Sequence, residues 1–228
     1  MICLGIGEKK INNIFFKNKE KSYKENLDHV SIEENFENLV FFTKLISHLE
    51  YFVFFGSLLG LVRENNLIEG DDDIDLYVNI KHRDELIKIL KDNSVEVNLN
   101  LSVNKNNSFL QIKRSINNKN LICDFYFYED HLDEKFIVEK WNFEGGTNDT
   151  SKHLRIPKIY IFPIQTKKVR SFQINFPAEP IYLCEFLYGK NWRSKLKKDY
   201  EYIIKVIDGK PILFKVKKTF FGVKYLIE

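Results

Sequence analysis

Apolar residues recur at three- and four-residue steps through Ile32, Phe36, Leu39, Phe42, Ile46 and Leu49. That spacing places them on one face of a helix. Ser31-Ile-Glu-Glu34 ahead of it is a capping box and fixes where the helix begins. The pattern then changes. Tyr51 to Phe55 is a continuous apolar run and predicts a strand. The run breaks at Gly56-Ser57, and a short helix is expected from Leu58 to Arg63. After the acidic run Asp71, Asp72, Asp73 and Asp75, Leu76-Tyr77-Val78 is again apolar. Lys81 to Lys91 has a helical face of Leu86, Ile87 and Leu90.

Three extended runs follow: Val95 to Val103, Ser108 to Ile116 and Leu121 to Tyr128. Asn/Lys turns at Asn104–Asn107 and Asn117–Asn120 separate them, so a meander is expected. Residues 129 to 155 look irregular, with a turn at Gly145-Gly146-Thr147-Asn148-Asp149. Lys158 to Ile164 and Val169 to Phe176 look extended. Ile181 to Tyr188 and Lys195 to Ile207 look helical, and the tail from Pro211 to Glu228 looks like an edge strand. Residues 7 to 30 are polar and fit either a loose lead-in or a surface helix.

Composition narrows this picture. A chain of 228 residues with 44% hydrophobic positions can bury a substantial core. Twenty phenylalanines and eleven tyrosines favour strands. We expect one domain over 1–228, with a lead-in at 1–30 and an extension at 193–228. The net charge of +3 suits anionic substrates and is far from a dedicated nucleic-acid binder. Cys3, Cys123 and Cys184 are odd in number and widely spaced, so reduced, buried thiols are expected. His29, His48, His82, His131 and His153 show no zinc spacing, and His153 is expected at the surface. Met1-Ile-Cys-Leu-Gly-Ile lacks a basic n-region, so a cytoplasmic location without a signal peptide is expected. No apolar run reaches the ~20 residues of a membrane span, so any membrane contact would be peripheral.

The candidate chemistry lies between Gly56 and Asp75. Strand alternation puts Asp71, Asp73 and Asp75 on one face and Asp72, Ile74 and Leu76 on the other. Crowded carboxylates repel one another, and a divalent metal relieves that repulsion. A calcium loop is excluded, because its sixth position would be Leu76 and its twelfth His82. At Gly56-Ser57 the backbone can approach a phosphate, with the hydroxyl and nearby amides as donors. Arg63 can pair with the aspartates or meet a phosphate. Of Lys113 and Arg114 on the middle meander run, one must face the site. No nucleophile is recognisable.

Gly56-Ser-Leu-Leu-Gly-Leu-Val-Arg63, a spacer, then Asp71-Asp-Asp-Ile-Asp75 resembles the signature of the LicD family, which includes fukutin and fukutin-related protein. Tyr182-Leu183, Leu187-Tyr188-Gly189 and Asn191-Trp192 resemble its closing element. The family often has Pro-Trp before the aspartates, where this chain has Glu69-Gly70. The resemblance implies a nucleotidyltransferase-type α/β (α+β) fold: a mixed, mostly antiparallel sheet flanked by helices. It makes Asp73-Ile-Asp75 the acid pair and Asp124 the third acid, either a metal ligand or a general base. Asp71 is a second-shell or second-metal candidate, and the cofactor is Mg²⁺ or Mn²⁺. The implied reaction moves a phosphorylated alcohol, such as phosphocholine, from a CDP-linked donor to a hydroxyl of a surface glycan or its lipid-linked precursor, releasing CMP. Gly56, Ser57, Arg63 and Lys113 would bind phosphate. The alternatives are an NTP-dependent nucleotidyltransferase and a non-catalytic nucleotide- or glycan-binding homologue.

Overall fold

The computed structural model describes residues 30–93, 99–103, 108–116, 118–141, 149–195, 202–219 and 222–227. The first helix among the described residues, α1 (Ile32–Leu45), starts where the capping box puts it. The Glu34 amide donates to Ser31 Oγ at 3.2 Å, and the Ser31 amide donates to Glu34 Oε2 at 2.9 Å. The expected lead-in up to residue 29, the stretch 95–98, the turns at 104–107 and 145–148, and Cys3 lie outside the described residues.

The main sheet is mixed and mostly antiparallel. Its strands are β1 (Tyr51–Val53), β2 (Asp73–Asn79), β3 (Leu99–Val103), β4 (Phe109–Ile116), β5 (Lys119–Asp130), β6 (Phe136–Glu139) and β7 (Leu154–Pro157). The order runs β1-β2-β5-β4-β3, with β6 beside β5 and β7 beside β6. Among the described strands only one pair within it, β2 with β5, is parallel, and it puts Asp75 opposite Asp124. The expected meander is β3-β4-β5.

Aromatic rings fill the sheet. Phe54 stacks on Tyr77 at 3.9 Å, Tyr77 on Tyr128 at 5.7 Å, and Phe55 meets Tyr126 edge-on at 4.9 Å. On the opposite face, Phe42 of α1 packs edge-on against Phe125 at 5.8 Å. Leu121 to Tyr128 is therefore buried throughout. The face that carries Asp124 is covered too.

Several elements differ from expectation. The helix after β1, α2, runs from Phe55 to Glu64, so Gly56 and Ser57 lie in its first turn and do not interrupt it. Phe55 makes the corner with φ at +38°, a conformation rare for a non-glycine residue. The helix near Lys81 is α3 (Arg83–Asp92), preceded by a 3₁₀ turn at Ile80–His82. Phe136–Glu139 is a strand inside the stretch that looked irregular, where β6 continues the sheet from β5. Lys158–Ile161 is a short helix, α4, that buries Ile161 and leaves Ile159 exposed. Gln165–Val169 (β8) and Phe172–Phe176 (β9) form a hairpin that turns at Arg170, φ +54°. Helix α5 spans Pro180–Tyr188. His153 is buried, not superficial. Cys123 and Cys184 are free, buried thiols.

The helix expected up to Ile207 is instead strand β10 (Tyr202–Ile207). Its β-branched residues pair with β11 (Lys210–Thr219) across an Asp208-Gly209 turn. The tail adds β12 (Gly222–Ile227), and the three strands form a sheet of their own and not an edge of the main one. No helix among the described residues is long and apolar enough to cross a membrane.

Candidate metal and phosphate site

Three carboxylates meet at the centre of the main sheet. Asp73 and Asp75 alternate on β2, and the parallel register sets Asp124 of β5 directly beside Asp75. One oxygen from each lies within 4.8 Å of the others. Asp71, Asp72 and Asp73 form a second group of the same dimensions, so Asp73 belongs to both. Asp75 is 5% exposed and Asp124 6%, which is unusual for charged groups.

Two asparagines of α1 hold the backbone that carries these acids. Asn35 Nδ2 donates to the carbonyls of Asp71 and Asp73, at 3.2 and 2.9 Å. Asn38 Nδ2 donates to the Ile122 carbonyl at 3.1 Å. Helix α1 thus ties the start of β2 to the matching point of β5. The periodicity of this helix was legible in the sequence, but neither asparagine was singled out there. The signal was available, since Asn35 and Asn38 fall on the same helical face as Phe36, Leu39 and Phe42.

Helix α2 supplies the wall above the acids. The Ser57 amide donates to Asp75 Oδ2 at 3.3 Å, and Ser57 Oγ accepts from the Asp75 amide at 2.8 Å. Ser57 is buried, and its hydroxyl oxygen holds β2 in place. Gly56 is needed for a different reason: a Cβ there would stand 2.8 Å from Asp71 Oδ2 and 3.1 Å from Asp75 Oδ2. Its bare backbone leaves the space beside both carboxylates open. Gly56→Ala is therefore expected to weaken magnesium-induced thermal stabilisation by on the order of tenfold in apparent affinity, while the protein folds. An unchanged magnesium titration would show that the space is not a cation's.

The electrostatics follow from burial. Desolvation pushes Asp75 well above the ordinary carboxylate range, and the charges of Asp73, Asp71 and Asp124 push it further. The Asp124 carboxyl is raised to about 7, first by burial and then by Asp73; the hydrogen bond from Gln111 opposes this. Gln111 Nε2 donates to Asp124 Oδ1 at 3.0 Å from directly across β4. Sequence alone gave no sign of Gln111, because its role depends on strand register. Neither Asp75 nor Asp124 has a cationic partner among the described residues. Hard oxygen donors this close, with open space at Gly56, fit a divalent cation such as Mg²⁺.

The remaining candidates are distributed unevenly. Lys113 lies opposite Ile122, on the acids' face of the sheet, and is exposed. Arg114 points to the other face, its guanidinium 3.9 Å from the centre of the Phe41 ring. Arg63 is not brought to the acids. It is seven residues past Gly56, about 10 Å along the helix, and donates to Glu64 Oε1 from Nε and Nη2 at 2.9 and 2.6 Å. Arg170 is held by Glu33 and lies over the Phe36 ring. Leu183, Leu187 and Trp192 of the closing element are buried core residues.

The chain matches the family described as LicD/FKTN/FKRP, nucleotidyltransferase domain, over residues 48–179. That span holds all three acids, Gly56, Ser57, Arg63 and Lys113. Among solved structures, that of the lincosamide antibiotic adenylyltransferase LnuA with lincomycin bound is similar to it. The identity is 16% and the TM-score 0.44, covering 62% of this chain and 79% of that one. No curated protein matches the chain.

Proposed function

The chain belongs to the LicD/FKTN/FKRP nucleotidyltransferase family, and from that premise we propose that it is a metal-dependent transferase of phosphorylated alcohols. The donor is CDP-linked, phosphocholine-like in class, and the acceptor is a hydroxyl of a surface glycan or its lipid-linked precursor. The observation that supports this most is the meeting of Asp73, Asp75 and Asp124 within 4.8 Å at the buried centre of the sheet.

Asp73 and Asp75 are the proposed ligands of Mg²⁺ or Mn²⁺, with Asp71 alongside as a second-shell or second-metal residue. The cation, when bound, neutralises charge on the donor diphosphate. Ser57 holds Asp75 through paired hydrogen bonds, its amide donating to the carboxylate and its oxygen accepting from the Asp75 amide, and Gly56 leaves the donor's phosphate room to approach. Lys113, on the same face, is the proposed cationic contact for the outgoing nucleotide. Arg63 serves α2 through Glu64 and has no direct part in this reading. Asp124 either completes the metal site or takes the proton from the acceptor hydroxyl, with Gln111 orienting its Oδ1. The acceptor oxygen forms the new bond to phosphorus as the bond to the CMP oxygen breaks.

The test is a panel of CDP-alcohols and NTPs, each with Mg²⁺ and with chelator. CDP-alcohols should raise the melting temperature only with metal present, and CMP should appear when acceptor is added. Stabilisation by ATP or GTP with pyrophosphate release would make the chain an NTP-dependent nucleotidyltransferase. Binding without any release would make it a non-catalytic homologue.

A further inference from the structure

The C-terminal sheet lies outside the residues that match the family. Residues 202–227 hold six lysines, one aspartate and no arginine, a net charge of +5. The whole chain carries +3, so the remaining residues sum to −2. Positive charge is thus concentrated on one small element.

The pairing register sorts this sheet into two faces. Ile204 and Val206 of β10 are 6% and 3% exposed and turn towards the rest of the protein. The Asp208-Gly209 turn is anchored there as well. The Arg155 amide donates to the Gly209 carbonyl at 2.9 Å, and the Gly209 amide donates to the Ser151 carbonyl at 3.1 Å. The alternate residues Ile203, Lys205, Ile207, Lys210, Ile212 and Phe214 share the other face. Each is at least partly exposed, Ile207 to 47%. Aliphatic and aromatic side chains therefore share this partly exposed face with Lys205 and Lys210.

We propose that this face docks the protein onto an anionic lipid surface. The apolar residues would enter the boundary between headgroups and acyl chains, and the lysines would meet the negative headgroups. Self-association through the same face would bring Lys205 and Lys210 of two copies together. A nucleic acid would match the charge but offers nothing to the exposed Ile207 or the half-buried Ile203 and Ile212.

The test is cosedimentation of the purified full chain with phosphatidylcholine vesicles, with and without phosphatidylglycerol. The protein should pellet with the anionic vesicles, stay in solution with the neutral ones, and be released as salt rises. Lys210→Glu changes the charge by two units and should lower the partition roughly twenty-fivefold, taking about a fivefold change per unit charge at the surface. Ile207→Gln should lower it independently. Both positions are exposed, so thermal melts should match the parent protein. Failure to pellet, or equal pelleting with neutral vesicles, overturns the proposal. So does a concentration-dependent dimer that Ile207→Gln dissolves, or retention of an oligonucleotide without vesicle binding. The assay contains no nucleotide, so its failure leaves the transferase reading intact.

Discussion

Asp75→Asn is expected to abolish transfer and, in the same molecule, to raise the melting temperature of the metal-free protein. Both effects have one cause. Asp75 is buried among Asp73, Asp71 and Asp124, and its charge is unfavourable there until a cation is present. The amide keeps the shape, and its carbonyl oxygen can still accept from the Ser57 amide. It removes the charge that the cation needs. Charge stabilisation of several kcal/mol in the transition state corresponds to on the order of 10³-fold or more in rate. Turnover with Mg²⁺ and a melt in chelator at pH 8 measure the two halves. Near-normal turnover together with a lower melting temperature would make Asp75 a structural residue.

The second large effect is the pH dependence of the metal-free protein. The Asp124 carboxyl moves from an ordinary value of 3.8 to about 7 on folding. Between those values the folded state holds a proton that the unfolded chain releases, so stability falls as pH rises. The contribution is complete below 3.8 and lost as pH passes 7. At pH 8 the loss is about 4 kcal/mol, or on the order of 10 °C in melting temperature. Asp124→Asn should flatten this part of the profile, and Mg²⁺ should restore the wild-type protein at pH 8. A chelated wild type with no more slope than Asp124→Asn would refute the burial argument. The same variant assigns the residue's role. Weaker Mg²⁺ binding makes Asp124 a ligand. Intact metal and donor binding, with transfer down on the order of 10²–10⁴-fold, makes it the base.

The site was more legible in the sequence than the periphery of the fold. Asp73, Ile74 and Asp75 are a local pattern, and strand alternation alone puts both acids on one face. Asp124 was legible as an acid in an apolar run, which is anomalous unless the carboxylate has a use. What could not be read depends on register. Gln111 matters because β4 sets it opposite Asp124, and Arg63 turns away because Glu64 is its nearest partner. Ser57 was read as a donor to phosphate; register adds that its oxygen also accepts from the Asp75 amide. The late elements failed for another reason. The run from Lys195 to Ile207 satisfies a helical period, but Tyr202–Ile207 has strand neighbours that helical spacing ignores. The Asp208-Gly209 pair between apolar runs was the overlooked hairpin signal.

The parallel pairing of β2 with β5 also has a consequence for how the chain folds. β3, β4 and β5 join through short connections, and β1 and β2 through α2 and a loop. Between Asn79 and Lys119 lie α3, β3 and β4, so joining β2 to β5 closes the longest loop within the central sheet. Loop closure of that kind is entropically the slowest contact to make. The two halves of the acidic cluster reside on opposite sides of that seam, Asp73 and Asp75 on one and Asp124 on the other. Their repulsion is absent while the halves are apart and reaches full strength only as the seam closes. A cation shared across it would hold the two halves once they have met, and would slow the reopening of the seam more than it speeds the closing.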